Sequence, residues 1–281
     1  MRVYTATLIA IFVSAAAAQS PARRSFDVAS IKKNNATCRG GLPRPSPGRL
    51  DFVCVSVRAL LVTAYGSLQG DPLHAGTIRV LGGPSWIDNE RYDISAKAED
   101  RAPLQEMRGP MLIALLEDRF HLKAHTEPRD TPVYALRLIE GPSKLRSIQE
   151  GSCKPIDQDD LPKAGDQTRY CGSEHSHVEG GTVIADWYGV TMAELATRSL
   201  TPYAGNYVLD QTGLNGRFDI HPEFRRNETL RVNGVEVSSG ESESGAPTIF
   251  TALHGLGLKL VPGKAPIEVV MIDSIERPSE N

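Results

Sequence analysis

The feature that most constrains how this chain can fold is an internal repeat, in which the second half echoes the first. The motif RYDI at residues 91–94 returns as RFDI at residues 217–220, and LK at residues 122–123 returns as LK at residues 258–259. The matching features keep their order at a spacing of about 130 residues. Such an ordered series predicts two diverged copies of one unit.

Hydrophobic periodicity predicts the elements of the first copy. Residues 56–66 read SVRALLVTAYG, with apolar side chains at helical spacing, and residues 104–118 predict a second helix. Residues 92–96 alternate as a half-buried strand does. Residues 119–138 predict two strands joined by a turn rich in Pro, Arg and Asp near residues 127–131.

The second copy predicts the same series of elements. A helix over residues 191–200 begins with the capping-box pattern of Thr191 and Glu194. Another helix opens at Pro247 or Thr248, and the segment after it again reads as strand, Pro/Gly/Lys turn and strand.

The predicted fold class is α+β: two diverged copies of a small unit, each a twisted mixed sheet with two helices, preceded by an N-terminal strand. The predicted divisions are a signal peptide at 1–18, a first unit at 19–140, a disulfide-containing connector at 141–180 and a second unit at 181–281. An Asn-Gly pair at 233–234 predicts the turn of a short hairpin.

The first residues have the layout of a secretory leader. Arg2 supplies an early positive charge, residues 8–13 are apolar, and Ala16-Ala17-Ala18 fit the small-x-small rule for cleavage. We expect cleavage after Ala18, with retention of the leader as an anchor as the alternative. No later segment approaches the roughly 18 apolar residues of a spanning helix. The expected location is therefore periplasmic or secreted, without a membrane span after cleavage.

The cysteines predict disulfide bonds. The chain has an even number of cysteines and no C-x-x-C pair, and in an exported protein these two features favour disulfides. The four residues are Cys38, Cys54, Cys153 and Cys171. Four cysteines allow three pairings. Local pairing, Cys38 with Cys54 and Cys153 with Cys171, is preferred because each pair then lies within one Gly/Pro/Asp-rich stretch.

Charge and motifs exclude several classes of function. The chain has 31 Lys and Arg against 34 Asp and Glu, a net charge of −3, so no nucleic-acid partner is expected. The glycine pairs at 82–83 and 180–181 sit at predicted turns rather than in a phosphate-binding loop, and no cofactor is predicted.

The strongest candidate for metal chemistry is the run Glu174, His175, Ser176 and His177. Two imidazoles and a carboxylate could hold Zn²⁺ if the loop folded back. However, the run lacks a third spaced ligand and the chain has no H-E-x-x-H motif, so a polar loop beside Cys171 is the simpler interpretation.

No catalytic residue is predicted. The chain has no G-x-S-x-G motif, and all four cysteines are expected to pair. Asp93 and Asp219 occupy equivalent places in the two copies and could form a carboxylate pair. A shared role in the fold, such as accepting a backbone hydrogen bond at a turn, explains them more simply.

Two segments are predicted to be edge strands that accept a partner strand. Residues 133–138 and 268–272 each end their unit, and an exposed strand edge is a template for pairing with another chain. The binding candidates on these segments are Val133, Tyr134, Leu136, Val269 and Met271.

Several segments together resemble a known protein family. They are FDVASIK, VSVRALLVTAYG, GGPSWIDNERYDISAKAE, LLEDRFHLKAHTEPRDTPVYALRL, TGLNGRFDI and VMIDSIERPSEN. They are similar to a leader-bearing family of soil bacteria, expanded in acidobacterial genomes, whose members are also found joined to membrane metallopeptidase sensors of the antibiotic-receptor type. The resemblance implies an exported α+β protein and carries over no catalytic residue, because the family has no established activity.

A weaker similarity exists at the level of fold. The segment VTMAEL before a helix and DQTGLNGRFD after it resemble the short N-terminal domain of secretins and TonB-dependent receptors. In those proteins the unit is a periplasmic interaction or signalling module, and such a likeness does not determine function.

These observations favour an exported, non-catalytic binding or interaction module whose partner is an unknown protein, peptide or envelope polymer. One alternative is an exported hydrolase with a loop metal site at His175 and His177. Another is a purely structural envelope protein.

Overall fold

The computed structural model describes residues 24–36, 38, 44–68, 78–141, 144–156, 166, 168–225, 229–232, 235–238 and 245–278. The predicted leader at 1–18 and the predicted hairpin turn at 233–234 lie outside these residues. The described part contains helices and several sheets, one of them mixed, which confirms the α+β class. No helix within it is both long and apolar enough to cross a membrane.

The elements of the first half, in chain order, are β1 (Val28–Asn34), β2 (Arg44–Ser46), β3 (Arg49–Val55), α1 (Val57–Leu68), β4 (Arg79–Gly82), α2 (Trp86–Asn89), β5 (Arg91–Lys97), α3 (Leu104–Arg108), α4 (Pro110–Arg119) and β6 (Lys123–Leu138). Those of the second half are β7 (Arg146–Ser147), β8 (Ser173–Glu179), β9 (Thr182–Val190), α5 (Met192–Glu194), a π-helical turn (Leu195–Leu200), α6 (Thr201–Ala204), β10 (Tyr207–Asp210), β11 (Phe218–Ile220), β12 (Glu223–Arg225), β13 (Thr229–Val232), β14 (Val235–Ser238), α7 (Ile249–Gly255) and β15 (Leu258–Ser274).

The first sheet is antiparallel, with strand order β1-β5-β3-β2. Ile94 lies opposite Ile31 on one side and opposite Phe52 on the other, and all three are buried. Because side chains alternate across a strand, β5 buries Tyr92, Ile94 and Ala96 and turns Asp93 to the other face. Helices α1, α3 and α4 supply further side chains to this core, which we call the first core.

The second sheet is built around β9. Strand β8 pairs with one side of β9, β11 and β12 pair with the other, and β7 pairs with β11. The inner face of β9 buries Val183, Ala185 and Trp187. These side chains pack in a second core with the helical segment 192–204 and α7. The predicted connector at 141–180 thus supplies two strands, β7 and β8, to the second sheet.

A long two-stranded ribbon joins the two sheets. Strands β6 and β15 pair antiparallel along their whole length, from Leu138 opposite Leu258 to Lys123 opposite Ser274. Strand β10 adds parallel to β6, and β4 adds parallel to β15. The predicted turn within residues 119–138, and its counterpart in the second half, are therefore wrong: each segment is one continuous strand.

The wrong turn predictions come from prolines that lie inside the two ribbon strands. Pro128 and Pro132 lie in β6, and Pro262 and Pro266 lie in β15. At all four positions the ribbon strand has only one described neighbour, because β10 pairs with residues 133–136 and β4 with residues 269–272. A proline, which has no N–H to donate, is tolerated where that side of the strand faces away from the sheet.

The ribbon exchanges strands between the two halves of the chain. Strand β4 from the first half pairs with β15 from the second, and β10 from the second half pairs with β6 from the first. Val270 and Ile272 accordingly lie in the first core, and Leu136 lies in the second. Each core is completed by a strand from the other half.

Local sequence explains how the helices begin and end. Pro110 follows Gly109, whose backbone breaks the predicted helix at 104–118 into α3 and α4, since a proline inside a helix removes a hydrogen bond and clashes with the preceding turn. The Thr191–Glu194 capping box is present as predicted.

The two disulfides follow the predicted local pairing. Cys38 bonds to Cys54 and Cys153 bonds to Cys171, with Cα atoms 6.1 and 5.0 Å apart. Strands β13 and β14 pair antiparallel, which confirms the predicted hairpin.

Candidate functional site

A concave site in the described residues lies where the two halves of the chain meet. We call it the junction cleft; its volume is about 380 Å³, at the small end of ligand-binding pockets. One wall comes from α1 and β4, and the other from α6 and the start of β10. The lining residues are Arg58, Val62, Ile78, Arg79, Val80, Leu81, Gly82, Thr201, Pro202, Gly205, Asn206 and Tyr207.

Arg58 is held by bonds within the protein. Its guanidinium pairs with Asp88 through Nε to Oδ1, and through Nη2 to Oδ2 at 3.1 Å. Nη1 and Nη2 also donate to the carbonyl oxygens of Val80 and Gly82, at 2.6 and 3.2 Å. Those carbonyls lie on the outer edge of β4, so Arg58 covers an edge that would otherwise be open to another strand.

Arg79 and Tyr207 form the centre of the cleft. They begin β4 and β10, which lie at opposite edges of the ribbon sheet, yet the Arg79 guanidinium carbon is 5.5 Å from the centroid of the Tyr207 ring. This cation–π contact joins the two halves across the cleft. Tyr207 is only 8% exposed. Burial raises the pKa of its phenol to about 12, so the hydroxyl stays protonated at neutral pH.

The helical segment before β10 positions Tyr207. The Thr201 hydroxyl donates to the carbonyl of Ala196 at 3.1 Å and accepts the N–H of Val208 at 3.0 Å, which ties β10 to the helix. Pro202 cannot donate an N–H, and its ring displaces the carbonyl one turn earlier, which accounts for the wider π-helical turn just before it. Gly205, at φ +77°, then turns the chain into β10.

The lining of the cleft sets a few polar groups against apolar walls. Two guanidinium groups, one phenol, one amide and one hydroxyl face apolar walls, and the described lining contains no carboxylate, imidazole or thiol. The hydroxyl of Thr201 already has two partners.

The structure separates the members of the candidate metal run. His175 and His177 lie on the exposed face of β8, opposite Asp186 and Ile184. Glu174 lies on the other face, opposite Trp187, and accepts a hydrogen bond from Ser199 at 2.7 Å. Within the described ranges no three His, Cys, Asp or Glu side chains are placed to hold a metal ion.

Asp93 and Asp219 lie on separate sheets, and each accepts a hydrogen bond from the backbone of a β-bulge. Asp93 accepts the N–H of Cys54 at 2.8 Å, and Asp219 accepts the N–H of Gly189 at 2.9 Å. Cys54 and Gly189 are bulge residues with φ of +59° and +56°. Each carboxylate therefore satisfies a backbone donor that the bulge removes from the ladder.

The predicted edge strands are not edges. Val133, Tyr134 and Leu136 lie on β6 between β10 and β15. Val269 and Met271 lie on β15 between β6 and β4. The prediction failed because β4 and β10 cross from one half of the chain to the other, which the order of elements along the chain does not reveal. Among the described strands, β1 and β2 are the edges of the first sheet, β4 and β10 are the edges of the ribbon sheet, and β8 is an edge of the second sheet.

Sequence reasoning missed Arg58, Arg79 and Tyr207. A signal was present for the two arginines: each stands inside an apolar run, VSVRALLV and TIRVLGG, where a charge needs a partner. Nothing in the sequence marks Tyr207, because its place beside Arg79 depends on the strand exchange.

Sequence comparison assigns the chain to a family. A family model described as DUF3738, protein of unknown function, matches residues 59–275, about three quarters of the chain. The chain belongs to the DUF3738 family. The match covers α4, the ribbon and every lining residue of the cleft except Arg58. No curated protein and no solved structure gave a significant match to this DUF3738 protein.

Proposed function

We propose that this DUF3738 protein is an exported, non-catalytic binding protein whose ligand occupies the junction cleft. The observation that carries the proposal is the cleft itself. Both halves of the chain build it, two exchanged strands start in it, and its centre is a cation–π pair. Concave sites with apolar walls and a few convergent polar groups are the usual form of small-ligand sites.

Export is supported by two features. The first 18 residues have the layout of a secretory leader, and the four cysteines pair in two disulfides, which persist in oxidising compartments. We propose a periplasmic or secreted location. The relation to acidobacterial proteins, to metallopeptidase sensors and to secretin or TonB domains stays a prediction.

We also propose that the cleft arose between two copies of one unit. The supporting correspondences are pairs of elements: β3 with β9, β5 with β11 and β6 with β15. The bulge opposite Asp93 has its counterpart opposite Asp219. Arg79 and Tyr207 then hold corresponding places, each as the first residue of an exchanged strand.

A thermal-shift screen of residues 19–281 tests the binding proposal. The panel holds peptidoglycan fragments, oligosaccharides, short peptides, small organic acids, amines and neutral compounds, and divalent metals. A ligand that binds only the native state raises the melting midpoint, by about 2.7 kcal/mol of stability at a hundred times its dissociation constant. Asn206→Trp places a large side chain at the cleft and should abolish the shift.

The matched control is Asn89→Trp, which makes the same change at an exposed site outside the cleft and should keep the shift. A shift that survives Asn206→Trp would contradict the proposal. A shift with zinc alone that disappears in His175→Ala/His177→Ala would favour the alternative of a metal hydrolase. The absence of any shift would favour a structural envelope protein.

A further inference from the structure

We propose that the junction cleft binds a singly charged organic carboxylate with an apolar or aromatic body, and that Arg79 binds its carboxylate. This inference rests on the proposed binding function and specifies the class of ligand. Three features of the cleft support it: the charges of the lining, the bonds that its two arginines already make, and its apolar walls.

The charges of the described lining favour an anionic ligand. The described lining contains two guanidinium groups and no carboxylate of its own. Asp88 pairs with Arg58, and two further N–H groups of Arg58 donate to the β4 carbonyls. Arg58 is therefore neutralised and bonded before any ligand arrives.

Arg79 differs from Arg58 in its partners. Its guanidinium lies over the Tyr207 ring, 5.5 Å from the ring centroid, and no carboxylate of the described residues lies within ion-pair distance of it. Arg79 is half-buried, so its charge has lost part of its hydration. A cation–π contact leaves the N–H groups at the rim of the guanidinium available, and a carboxylate accepts two of them in parallel.

The charge of the ligand follows from the cations of the cleft. One uncommitted guanidinium balances one negative charge. A dianionic phosphate would bring a second charge, and the described lining has no further cation for it. A carboxylate therefore fits better than a phosphate group.

The walls of the cleft favour an apolar body behind the carboxylate. Val62, Ile78, Val80 and Pro202 form apolar walls around the arginine and the tyrosine. A cleft of about 380 Å³ admits a short apolar chain or one aromatic ring behind the carboxylate. The body then gains from leaving water, while Asn206 is placed in the lining to hydrogen-bond a polar substituent.

Titration calorimetry with acid and amide pairs tests this inference. The probes are acetate, butyrate, octanoate and 3-phenylpropionate, with 3-phenylpropanamide as the neutral isostere of the last and inorganic phosphate as the dianion. We expect 3-phenylpropionate to bind at least tenfold tighter than its amide and than acetate, with phosphate failing to compete. Arg79→Gln should lower the affinity for 3-phenylpropionate at least tenfold and remove the preference over the amide.

Two further variants separate charge from folding. Arg79→Lys keeps the charge without the planar fork and should recover part of the affinity. Arg49→Gln removes an exposed arginine outside the cleft and should leave binding unchanged. Unchanged melting midpoints of the ligand-free variants exclude a loss of fold.

Three results would overturn the inference: equal binding of acid and amide, an acid preference that survives Arg79→Gln, or no binding by any carboxylate of the series. The proposal that some ligand occupies the junction cleft is tested independently of the ligand's charge. It stands if neutral or cationic compounds bind in a way that Asn206→Trp abolishes, and it fails only if no class of compound does so.

Discussion

At the scale of single residues, Glu90 links the first core to the C-terminal segment, because it bonds both Tyr92 and Arg277. Arg277 pairs with its carboxylate through Nε and Nη2, both at 3.0 Å, Tyr92 donates its hydroxyl at 2.8 Å, and the Lys33 ammonium lies at 3.2 Å. Burial alone would raise the pKa of Glu90, but these partners outweigh it and lower the pKa to about 2. The guanidinium carbon of Arg277 also lies 5.1 Å from the centroid of a Trp86 ring.

The pH dependence of stability follows from that pKa. A carboxyl group whose pKa is lower in the folded state than in the unfolded state stabilises the fold fully above its unfolded value of 4.5. The contribution declines as the pH falls from about 4.5 towards 2. We expect Glu90→Gln to lower the free energy of unfolding at pH 7 by about 1.5–3 kcal/mol, the range for hydrogen bonds to a charged group.

Urea unfolding at pH 7, 5 and 3 measures this effect. The difference between wild type and Glu90→Gln should be largest at pH 7 and smaller at pH 3. Glu106→Gln, which removes a carboxylate from a more exposed ion pair with Arg24, serves as the control and should change stability little. An equal loss for Glu90→Gln at all three pH values would argue against the electrostatic account.

Asp93 provides a second prediction at this scale. Asp93→Ala removes the acceptor for the Cys54 N–H and should cost about 1–3 kcal/mol, because a partly buried backbone donor loses its partner. Asp93→Asn keeps a side-chain oxygen and should cost less. The comparison by urea unfolding would contradict the structural role if alanine and asparagine were equally tolerated.

At the scale of elements, the bulge in β9 packs closely against the nearby disulfide, which predicts that the two depend on each other. A Cβ added at Gly189 would lie 3.0 Å from Cys153 Sγ, and the residue has φ +56°. In β3 the corresponding bulge residue is Cys54, which belongs to a disulfide itself. Both sheets thus have a disulfide at the bulge. In the first sheet the bulge residue is part of the disulfide, and in the second sheet the disulfide packs against the bulge residue.

Gly189→Ala tests this dependence. The left-handed backbone alone should cost roughly 1–2 kcal/mol, and the contact with the disulfide should add to that. Gly205→Ala is the control: its φ is +77° and a Cβ there meets nothing within 4 Å, so it measures the backbone cost by itself. Thermal unfolding should show a larger loss for Gly189→Ala.

Removing both Cys153 and Cys171 by serine substitution should bring the cost of Gly189→Ala down towards that of Gly205→Ala. An undiminished cost without the disulfide would show that the neighbouring strand, rather than the disulfide, sets the requirement for glycine. The double-mutant cycle measures this coupling directly.

At the scale of the whole molecule, strand exchange makes each core depend on both halves of the chain. Without β15 the first core lacks Val270 and Ile272, and without β6 the second core lacks Leu136. Buried aliphatic side chains contribute about 1.5–3 kcal/mol each, which is a large part of the net stability of a small domain.

Fragments of the chain test this dependence. We expect residues 19–143 and 144–281, produced separately, to show no cooperative thermal transition by circular dichroism. When mixed, they should form a one-to-one complex with a cooperative transition. A fragment that unfolds cooperatively by itself would contradict the expectation that each core needs both halves of the chain. The intact chain should unfold in a single transition reported equally by far- and near-ultraviolet dichroism.

The sequence by itself determined the local features of this protein. The alternation in RYDISAK, the apolar spacing of α1, the Thr191 capping box and the local cysteine pairing all depend on neighbours along the chain, so the prediction of each was confirmed.

Tertiary structure alone decided how the strands pair. Proline-rich stretches that predict turns by local rules became the middle of two long strands, because the ribbon leaves those positions without a second neighbour. The junction cleft follows from that pairing: Arg79 and Tyr207 are far apart in the chain and meet only because β4 and β10 cross to the opposite halves. Contacts between distant segments depend on the packing of the whole chain, which local sequence patterns do not encode.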